Sequence, residues 1–219
     1  MGTYRKPSPV PPTPSPNAEL HIILMAMRKL RESIIATKRT DSFAQRAYIF
    51  ILQSTLLVSA WESYTLTILY LLESIHPVTP LPQPELHEVL SYYILDLACR
   101  QDELNEAFRV AKSAKRLHQW QDTRVEKVLR ALATDDWVTF WRTRRKVDGY
   151  QRAILAFAEE GVRKHTLKCI GKSYLQCERE YVERCACASW KELVESGVGW
   201  ELEGGEKVVI RKVKGKATG

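Results

Sequence analysis

The sequence predicts a mainly α-helical protein, in which an antiparallel, solenoid-like helical array is followed by a small C-terminal segment with a β-hairpin. Three observations predict this order. Amphipathic runs, with apolar residues three, four and seven positions apart, recur through the first three quarters of the chain. All prolines lie at or before Pro84, and after Gly2 the next glycine is Gly149. Two β-type runs flank Gly204-Gly205 near the C-terminus.

The composition is that of a globular protein with a basic surface. The 219 residues, 45% hydrophobic and 27% charged, are enough for a sizeable core and exclude collagen-like, mucin-like and wholly disordered classes. The net charge of +7 favours RNA, DNA or an acidic protein as a partner. The polar N-terminus is not typical of a signal peptide, and no apolar run reaches the roughly 18 residues of a membrane span. Five cysteines, an odd number, predict free thiols in a reducing compartment.

Capping residues and prolines predict the first three helices. Asn17 is expected to cap the first helix and Asp41 the second, and the third covers residues 61–75. The proline-rich stretch 77–84 ends this group, because prolines interrupt helical hydrogen bonding. The prolines that precede Asn17 predict a solvated tail, with a docking motif for an aromatic groove as the alternative.

A second group of helices follows the proline-rich stretch. Asp102, Asp122 and the Asp135-Asp136 pair are predicted to start helices, and a further helix surrounds residues 150–157. Residues 85–148 contain neither proline nor glycine, so the strongest breakers of regular structure are absent there. Helices of this kind joined by short loops indicate an antiparallel array.

The pattern changes after Gly161. One helix is predicted through Leu175 and a short one over residues 178–185, and Ser189 with Glu192 has the spacing of a capping box. The order of helix, helix, capped helix and terminal hairpin is that of a winged helix. The predicted segments are a disordered proline-rich tail (1–16), the helical array (17–160), a winged-helix subdomain (161–213) and a flexible basic tail (214–219).

The chain resembles the PCI superfamily, named for the proteasome lid, the signalosome and a translation initiation factor. The likeness covers roughly residues 20–212. Within the superfamily, the chain most resembles the GANP-type mRNA-export branch. In one segment, paired aromatic residues follow Leu132, and in another Ser173-Tyr174 ends the helix that opens a winged helix. The segments that carry the likeness are residues 27–32, 36–44, 128–132, 135–141, 163–175, 190–196 and 200–211.

This resemblance implies a non-enzymatic scaffold subunit of a multiprotein complex in nuclear mRNA processing or export. It implies pairing with another PCI-domain protein through the winged helix, a small acidic peptide subunit on the helical part, and RNA on a basic face. The implied location is the nucleus, with the cytoplasm as an addition. The alternatives are a small subunit of the proteasome lid, signalosome or initiation factor, and, in another class, a stand-alone RNA-binding module.

The hairpin is the candidate site for a protein partner. An outer strand with open backbone groups can extend a partner's sheet, whereas an edge protected by charges is the alternative. Because members of the PCI superfamily pair through this element, the resemblance favours pairing. The predicted partner-binding residues are Trp200, Leu202, Val208 and Ile210.

Clusters of positive residues are the candidate nucleic-acid site. Residues 207–219 contain no acid, and four of residues 142–146 are positive at the end of a helix, where favourable interaction with the helix dipole is the alternative explanation. Lys164 and Lys168 share one helix face. The predicted nucleic-acid-binding residues are Lys207, Arg211, Lys212, Lys214, Arg144, Arg145, Lys146, Lys164 and Lys168.

Enzyme and metal motifs are absent from the sequence. It holds no Gly-rich phosphate loop, no Gly-x-Ser-x-Gly and no His-Glu-x-x-His. His165 and Cys169 are four residues apart, and three more cysteines follow, but no Cys-x-x-Cys pair supports a zinc site. Free thiols are therefore the preferred interpretation, and we expect no catalytic residue, metal or cofactor.

Overall fold

The structure is a computed structural model that describes residues 16–211, and it is mainly helical with a small C-terminal sheet, as the sequence predicts. Of the predicted tails 1–16 and 214–219, all residues but Pro16 lie outside the described range. Helix α1 begins at Pro16, so the prediction that Asn17 caps it is wrong. Within them, no helix combines the length and the apolar character needed to cross a membrane. The elements are α1 (Pro16–Ala36), α2 (Ser42–Leu57), α3 (Trp61–Tyr70, continued by a π-helical turn over Leu71–Ile75), α4 (Gln83–Cys99), α5 (Leu104–His118), α6 (Thr123–Ala133), α7 (Trp137–Arg144), α8 (Gly149–Ser173), β1 (Gln176–Glu178), α9 (Arg179–Ala186), α10 (Trp190–Glu195), β2 (Glu201–Glu203) and β3 (Lys207–Val209).

The chain forms two compact units that divide at the proline-rich stretch. The first comprises residues up to 55 together with 60–80, and the second comprises 56–59 and the chain from 81 onward. In the first unit the Asp41 carboxylate accepts a hydrogen bond from the Ala44 amide at 3.1 Å, which confirms the predicted cap of α2. The buried ring of Tyr48 stacks on Tyr70, with their centroids 5.0 Å apart.

Helix α4 is the centre of the second unit. It packs against α5, α6 and α8, and most of its residues are buried. The helices around it begin at aspartates, since Asp122, Asp136 and Asp148 each accept hydrogen bonds from the first amides of α6, α7 and α8. The prediction that Asp102 starts a helix is wrong: α5 begins at Leu104, and Asp102 adopts a left-handed backbone conformation (φ 58°) before it.

A partly buried hydrogen-bond network joins three helices at the start of α6. While Asp122 caps α6 through one oxygen, the other accepts hydrogen bonds from Ser91 on α4 (3.3 Å) and Gln151 on α8 (3.2 Å). The indole N–H of Trp120, whose ring is fully buried, donates to the Ser91 hydroxyl at 3.0 Å. Buried polar groups need such partners, so this network fixes α6 against α4 and α8.

Helix α8 is longer than predicted. Its 25 residues include Gly161, so the two helices expected on either side of that glycine are one. A β-carbon placed on Gly161 would meet no atom within 4 Å, and the residue is exposed. The penalty of a helical glycine, about 1 kcal/mol, is too small to interrupt a helix packed against α4 and α7. The domain boundary predicted at 160–161 therefore falls inside a continuous helix, and that division stays a prediction.

The C-terminal part of the second unit contains a three-stranded antiparallel sheet in the order β1-β3-β2. The predicted hairpin is confirmed: β2 pairs with β3 across Gly204 and Gly205, which both have positive φ. Strand β1 was not predicted, because its residues were assigned to a short helix and to the connection before that helix. It pairs with the edge of β3 opposite β2. Beneath the sheet lies the C-terminal core, formed by Val182, Ala186, Leu193 and Val208.

We predict that Asp122→Ala lowers the free energy of unfolding by about 2–4 kcal/mol, because the helix cap is lost and the part-buried side-chain amide of Gln151 loses its acceptor, whereas Ser91 keeps the His87 carbonyl at 2.8 Å. Urea denaturation followed by circular dichroism measures this. Asp148→Ala is the matched control: it removes the cap of α8, which bonds the Gln151 amide at 2.8 Å, and should cost only about 1 kcal/mol. Equal losses in the two variants would contradict a role for the network.

Candidate nucleic-acid and partner interfaces

The predicted partner-binding residues of the hairpin face inward. Val208 is fully buried in the C-terminal core, and Trp200, Leu202 and Ile210 are half-buried against that core. Alternation along β3 points the Val208 side chain beneath the sheet, and its contact with a partner stays a prediction. For the other three residues a partner contact stays a prediction.

The sheet has two outer strands, β1 and β2, because β3 lies between them. Strand β2 spans three residues, of which Glu201 and Glu203 are exposed and Leu202 packs on the core. An outer strand of this kind leaves one row of backbone groups facing away from its own sheet. The backbone of β2, rather than the apolar side chains of the hairpin, is thus the part of the hairpin suited to sheet extension.

A groove lies between α8 and the segment 196–200, and we call it the C-terminal groove. It has a volume of about 700 Å³. Leu167, Val198 and Trp200 supply its apolar surface, and a β-carbon on Gly171 would lie only 3.3 Å from the Trp200 ring. The lining residues are Glu160, Arg163, Lys164, Leu167, Lys168, Gly171, Ser196, Gly197, Val198, Gly199 and Trp200.

Positive residues along α8 border the C-terminal groove. Lys164 forms an ion pair with Glu160 at 2.5 Å, and the hydrogen bond from Lys164 lowers the pKa of the Glu160 carboxyl. Arg163 is held by the Ala186 carbonyl at 3.1 Å. Lys168 is exposed and forms no ion pair with any residue in the described range. Of the two lysines predicted on this helix face, Lys168 is therefore the one whose charge is uncompensated.

The cluster at the end of α7 divides into a structural residue and two exposed ones. Arg144 pairs with Glu159, and both side chains are largely buried, so this arginine joins α7 to α8. Its predicted role in binding phosphate stays untested, and its charge is already neutralised. Arg145 and Lys146 are exposed. The sequence pattern did not distinguish them, because the acidic partner lies 15 residues further along the chain.

The basic residues of the hairpin are only partly within the described chain. Lys207 is exposed on β3, and Arg211 donates a hydrogen bond to the Lys172 carbonyl at 2.9 Å, which ties the end of the hairpin to the end of α8. Lys212 and Lys214 lie outside the described residues. Nucleic-acid contact at these four positions stays a prediction.

A second groove, which sequence reasoning missed, lies between α6 and α7, and we call it the α6–α7 groove. Its volume is about 350 Å³, and five of its lining residues are cations. The signal in the sequence was the spacing of three residues between positive side chains on α6, which places them on one helix face. The groove is lined by Arg124, Lys127, Arg130, Ala131, Thr134, Asp136, Thr139, Arg142, Thr143 and Lys146.

His165 contacts both a thiol and a carboxylate. Its Nε2 atom lies 3.3 Å from Cys169 Sγ and 3.6 Å from Asp135 Oδ2. Both contacts involve the same ring nitrogen, whereas a nucleophile–histidine–carboxylate relay uses the two opposite nitrogens. This arrangement therefore does not activate the Cys169 thiol in the manner of a catalytic triad.

All five cysteines are free thiols. Cys99 is buried on α4, where desolvation raises the pKa of its thiol, and the other four are half-buried. Burial likewise raises the pKa of the Cys177 thiol. Among residues 16–211, no three histidine, cysteine or acidic side chains are grouped so that they could hold a metal ion.

Comparison of the chain with protein-family models and with curated proteins finds no match. The structural support for a function therefore comes from the two grooves and the outer strand of the sheet. These features all lie in the second unit.

The capping box of α10 supports the segment that forms one wall of the C-terminal groove, and it should respond to pH. Glu192 accepts hydrogen bonds from the Ser189 amide (2.7 Å) and hydroxyl (2.9 Å), which lower the pKa of its carboxyl. A lowered pKa means that the carboxylate stabilises the folded state above the unfolded value of about 4.3, and that this contribution is lost as the pH falls through the folded value. Wild type should therefore exceed Glu192→Gln in stability at pH 7, and the difference should shrink below about pH 4.

Chemical denaturation at pH 7, 5, 4 and 3 measures this difference. Glu195→Gln changes the same charge on the same helix, where the contact to Lys191 is 4.0 Å long, and is the control with little expected effect. A difference between wild type and Glu192→Gln that stays constant down to pH 3 would show that the charge of Glu192 adds nothing to the capping box.

Proposed function

We propose that the chain is a non-enzymatic scaffold subunit of the PCI type, in which a C-terminal winged helix pairs with a second PCI-domain protein. The proposal places it in nuclear mRNA processing or export, with a nucleic-acid contact through exposed cations. The process and the location depend on the resemblance of the sequence segments given above. The pairing mode depends on the structure of the C-terminal part.

The observation that carries the proposal is the order of the C-terminal elements. The second half of α8 is followed by β1, α9, α10 and the β2–β3 hairpin, and the sheet order is β1-β3-β2. Helix, strand, two helices and hairpin around one small core is the arrangement of a winged helix. The C-terminal core lies between α9, α10 and β3, as this arrangement requires. The helices that precede it supply the array expected before such a module.

The exposed parts of this module suit a protein partner. The outer strand β2 offers backbone groups, and the C-terminal groove beside it combines the apolar Leu167, Val198 and Trp200 with the uncompensated charge of Lys168. Apolar surface with a cationic border fits an acidic segment that carries apolar side chains. We therefore assign this groove to a segment of that chemistry on the second PCI-domain protein.

The absence of enzymatic activity is part of the proposal. The geometry of His165 supports it, because Cys169 and Asp135 contact the same ring nitrogen. A scaffold instead acts through the chains that it brings together, so the experiment below identifies those chains.

Blocking the C-terminal groove should remove the partner. Gly199 lines this groove, and a β-carbon there meets no atom within 4 Å, so Gly199→Phe adds bulk to the groove without a clash at the β-carbon. Tagged full-length chain is purified from its native cells, and the co-purifying proteins are quantified by mass spectrometry. We expect a PCI-domain protein in stoichiometric amount with wild type, and a loss of at least about fivefold with Gly199→Phe, because a side chain in a binding site excludes the partner.

The matched control is Gly149→Phe, the same change at another glycine with open space around it, at the start of α8. It should keep the partner. Equal recovery from both variants, or no stoichiometric partner at all, would contradict pairing through this groove. Recovery of only proteasome-lid, signalosome or initiation-factor subunits would replace mRNA export by the alternative process.

A further inference from the structure

The α6–α7 groove has cations on both walls. Arg124, Lys127 and Arg130 lie three residues apart on α6, so they follow one face over about 9 Å of helix. Arg142 and Lys146, four residues apart, form a second row at and just beyond the end of α7. All five are exposed. A ligand in this groove would thus have positive charge on two sides.

The charges of the groove are largely uncompensated. Lys127, Arg130 and Lys146 form no ion pair with any residue between 16 and 211, and Arg124 has only a 3.5 Å contact to Asp122. Asp136 is the one acidic lining residue of the groove in the described chain. Its carboxylate accepts hydrogen bonds from the Thr139 hydroxyl and amide, which lower its pKa, and it therefore serves as the cap of α7. Facing rows of like charge repel each other, and an anionic ligand relieves that repulsion.

The chemistry of the lining selects the kind of anion. Ala131 is the only apolar residue among those that line the groove, and none of them is aromatic. A protein segment is usually held by apolar or aromatic anchors in addition to charge, and a base is read by stacking or by its edges. A phosphate backbone needs neither, because cations alone supply its binding energy. Three of the five cations are arginines, whose planar fork matches two oxygens of one phosphate.

We propose that the α6–α7 groove binds the phosphodiester backbone of a nucleic-acid strand without reading its bases. The inference rests on the nucleic-acid contact in the proposed function and assigns that contact a surface outside the winged helix. It does not depend on pairing with a protein partner. RNA and DNA share this backbone chemistry, so the experiment includes both.

Fluorescence anisotropy with the purified full chain tests the proposal. The probes are fluorescein-labelled 20-nucleotide oligouridylate, the oligothymidylate of equal length, and a labelled polyglutamate peptide, each titrated at 50 and 200 mM salt. The test variant is Lys127→Glu/Arg130→Glu in the groove. The matched control, Lys112→Glu/Arg116→Glu, makes the same change in net charge on exposed residues of α5. A third variant, Lys168→Glu/Lys207→Glu, removes charge from the C-terminal module, and circular dichroism checks that all variants fold.

We expect the groove variant to bind both oligonucleotides at least about tenfold more weakly than wild type at 50 mM salt. The slope of log affinity against log salt should fall by about 1–2, because each lost phosphate contact removes about 0.7 for a single strand. The α5 control should change affinity less than about threefold. Asp136→Asn should bind about two- to threefold more tightly, because it removes the single acid and keeps a side chain that caps helices well.

Other outcomes overturn the proposal. Equal losses in the groove and α5 variants would mean that net charge alone drives binding. Loss confined to Lys168→Glu/Lys207→Glu would leave the nucleic-acid contact in the winged helix and exclude the groove. Binding of polyglutamate without binding of oligonucleotide would identify an acidic protein as the occupant. Absence of all binding by wild type would remove the nucleic-acid contact while leaving the scaffold role, which is tested separately.

Discussion

The placement of α6 depends on one carboxylate. Asp122 caps that helix and at the same time accepts hydrogen bonds from α4 and α8, so a local signal for a helix start is also a tertiary anchor. The fully buried Trp120 extends the network by donating to the Ser91 hydroxyl. Helix α6 forms one wall of the α6–α7 groove. The network therefore also fixes the distance between the positive side chains of α6 and those of α7. The hydrogen bonds of the network hold α6 in place, so the repulsion between the two rows of positive charge does not separate the helices.

Helix α8 connects this groove to the C-terminal module. Its first half packs against α4 and α7, where Glu159 neutralises Arg144, and its second half contacts α9 and forms a wall of the C-terminal groove. Two surfaces of different chemistry are therefore attached to one rigid element. The α6–α7 groove is lined by five cations and one acid, whereas the C-terminal groove is apolar with a cationic border. This separation is compatible with the proposed scaffold role, in which different kinds of partner bind at different places.

Local signals predicted most of the fold. Asp41, Asp122 and Asp136 marked helix starts, and the paired glycines marked the hairpin, because capping and turn formation involve only neighbouring residues. Strand β1 was missed because three residues acquire strand geometry only by pairing with β3, which lies about 30 residues further along. Lys146 was predicted to bind nucleic acid, but the cations of α6 that face it were not. A groove between two helices is created by their packing, which the local sequence does not indicate. The burial of Val208 was not predicted, because alternation within a short strand does not say which face is covered.

Helix α8 is continuous through Gly161 and leads into the C-terminal module, which comprises β1, α9, α10, β2 and β3. The number of residues in α8 therefore sets the angle at which this module lies relative to α4. Each residue of an α-helix advances the chain by 1.5 Å and turns it by about 100°. One residue added between Leu155 and Leu167 would turn the sheet and its groove by that angle relative to α4, and four would bring them to within about 40° of the original direction. Substitutions at Gly161, which faces open space, leave this phase unchanged. The length of α8, more than the identity of its exposed residues, therefore sets the direction in which the module presents its outer strand.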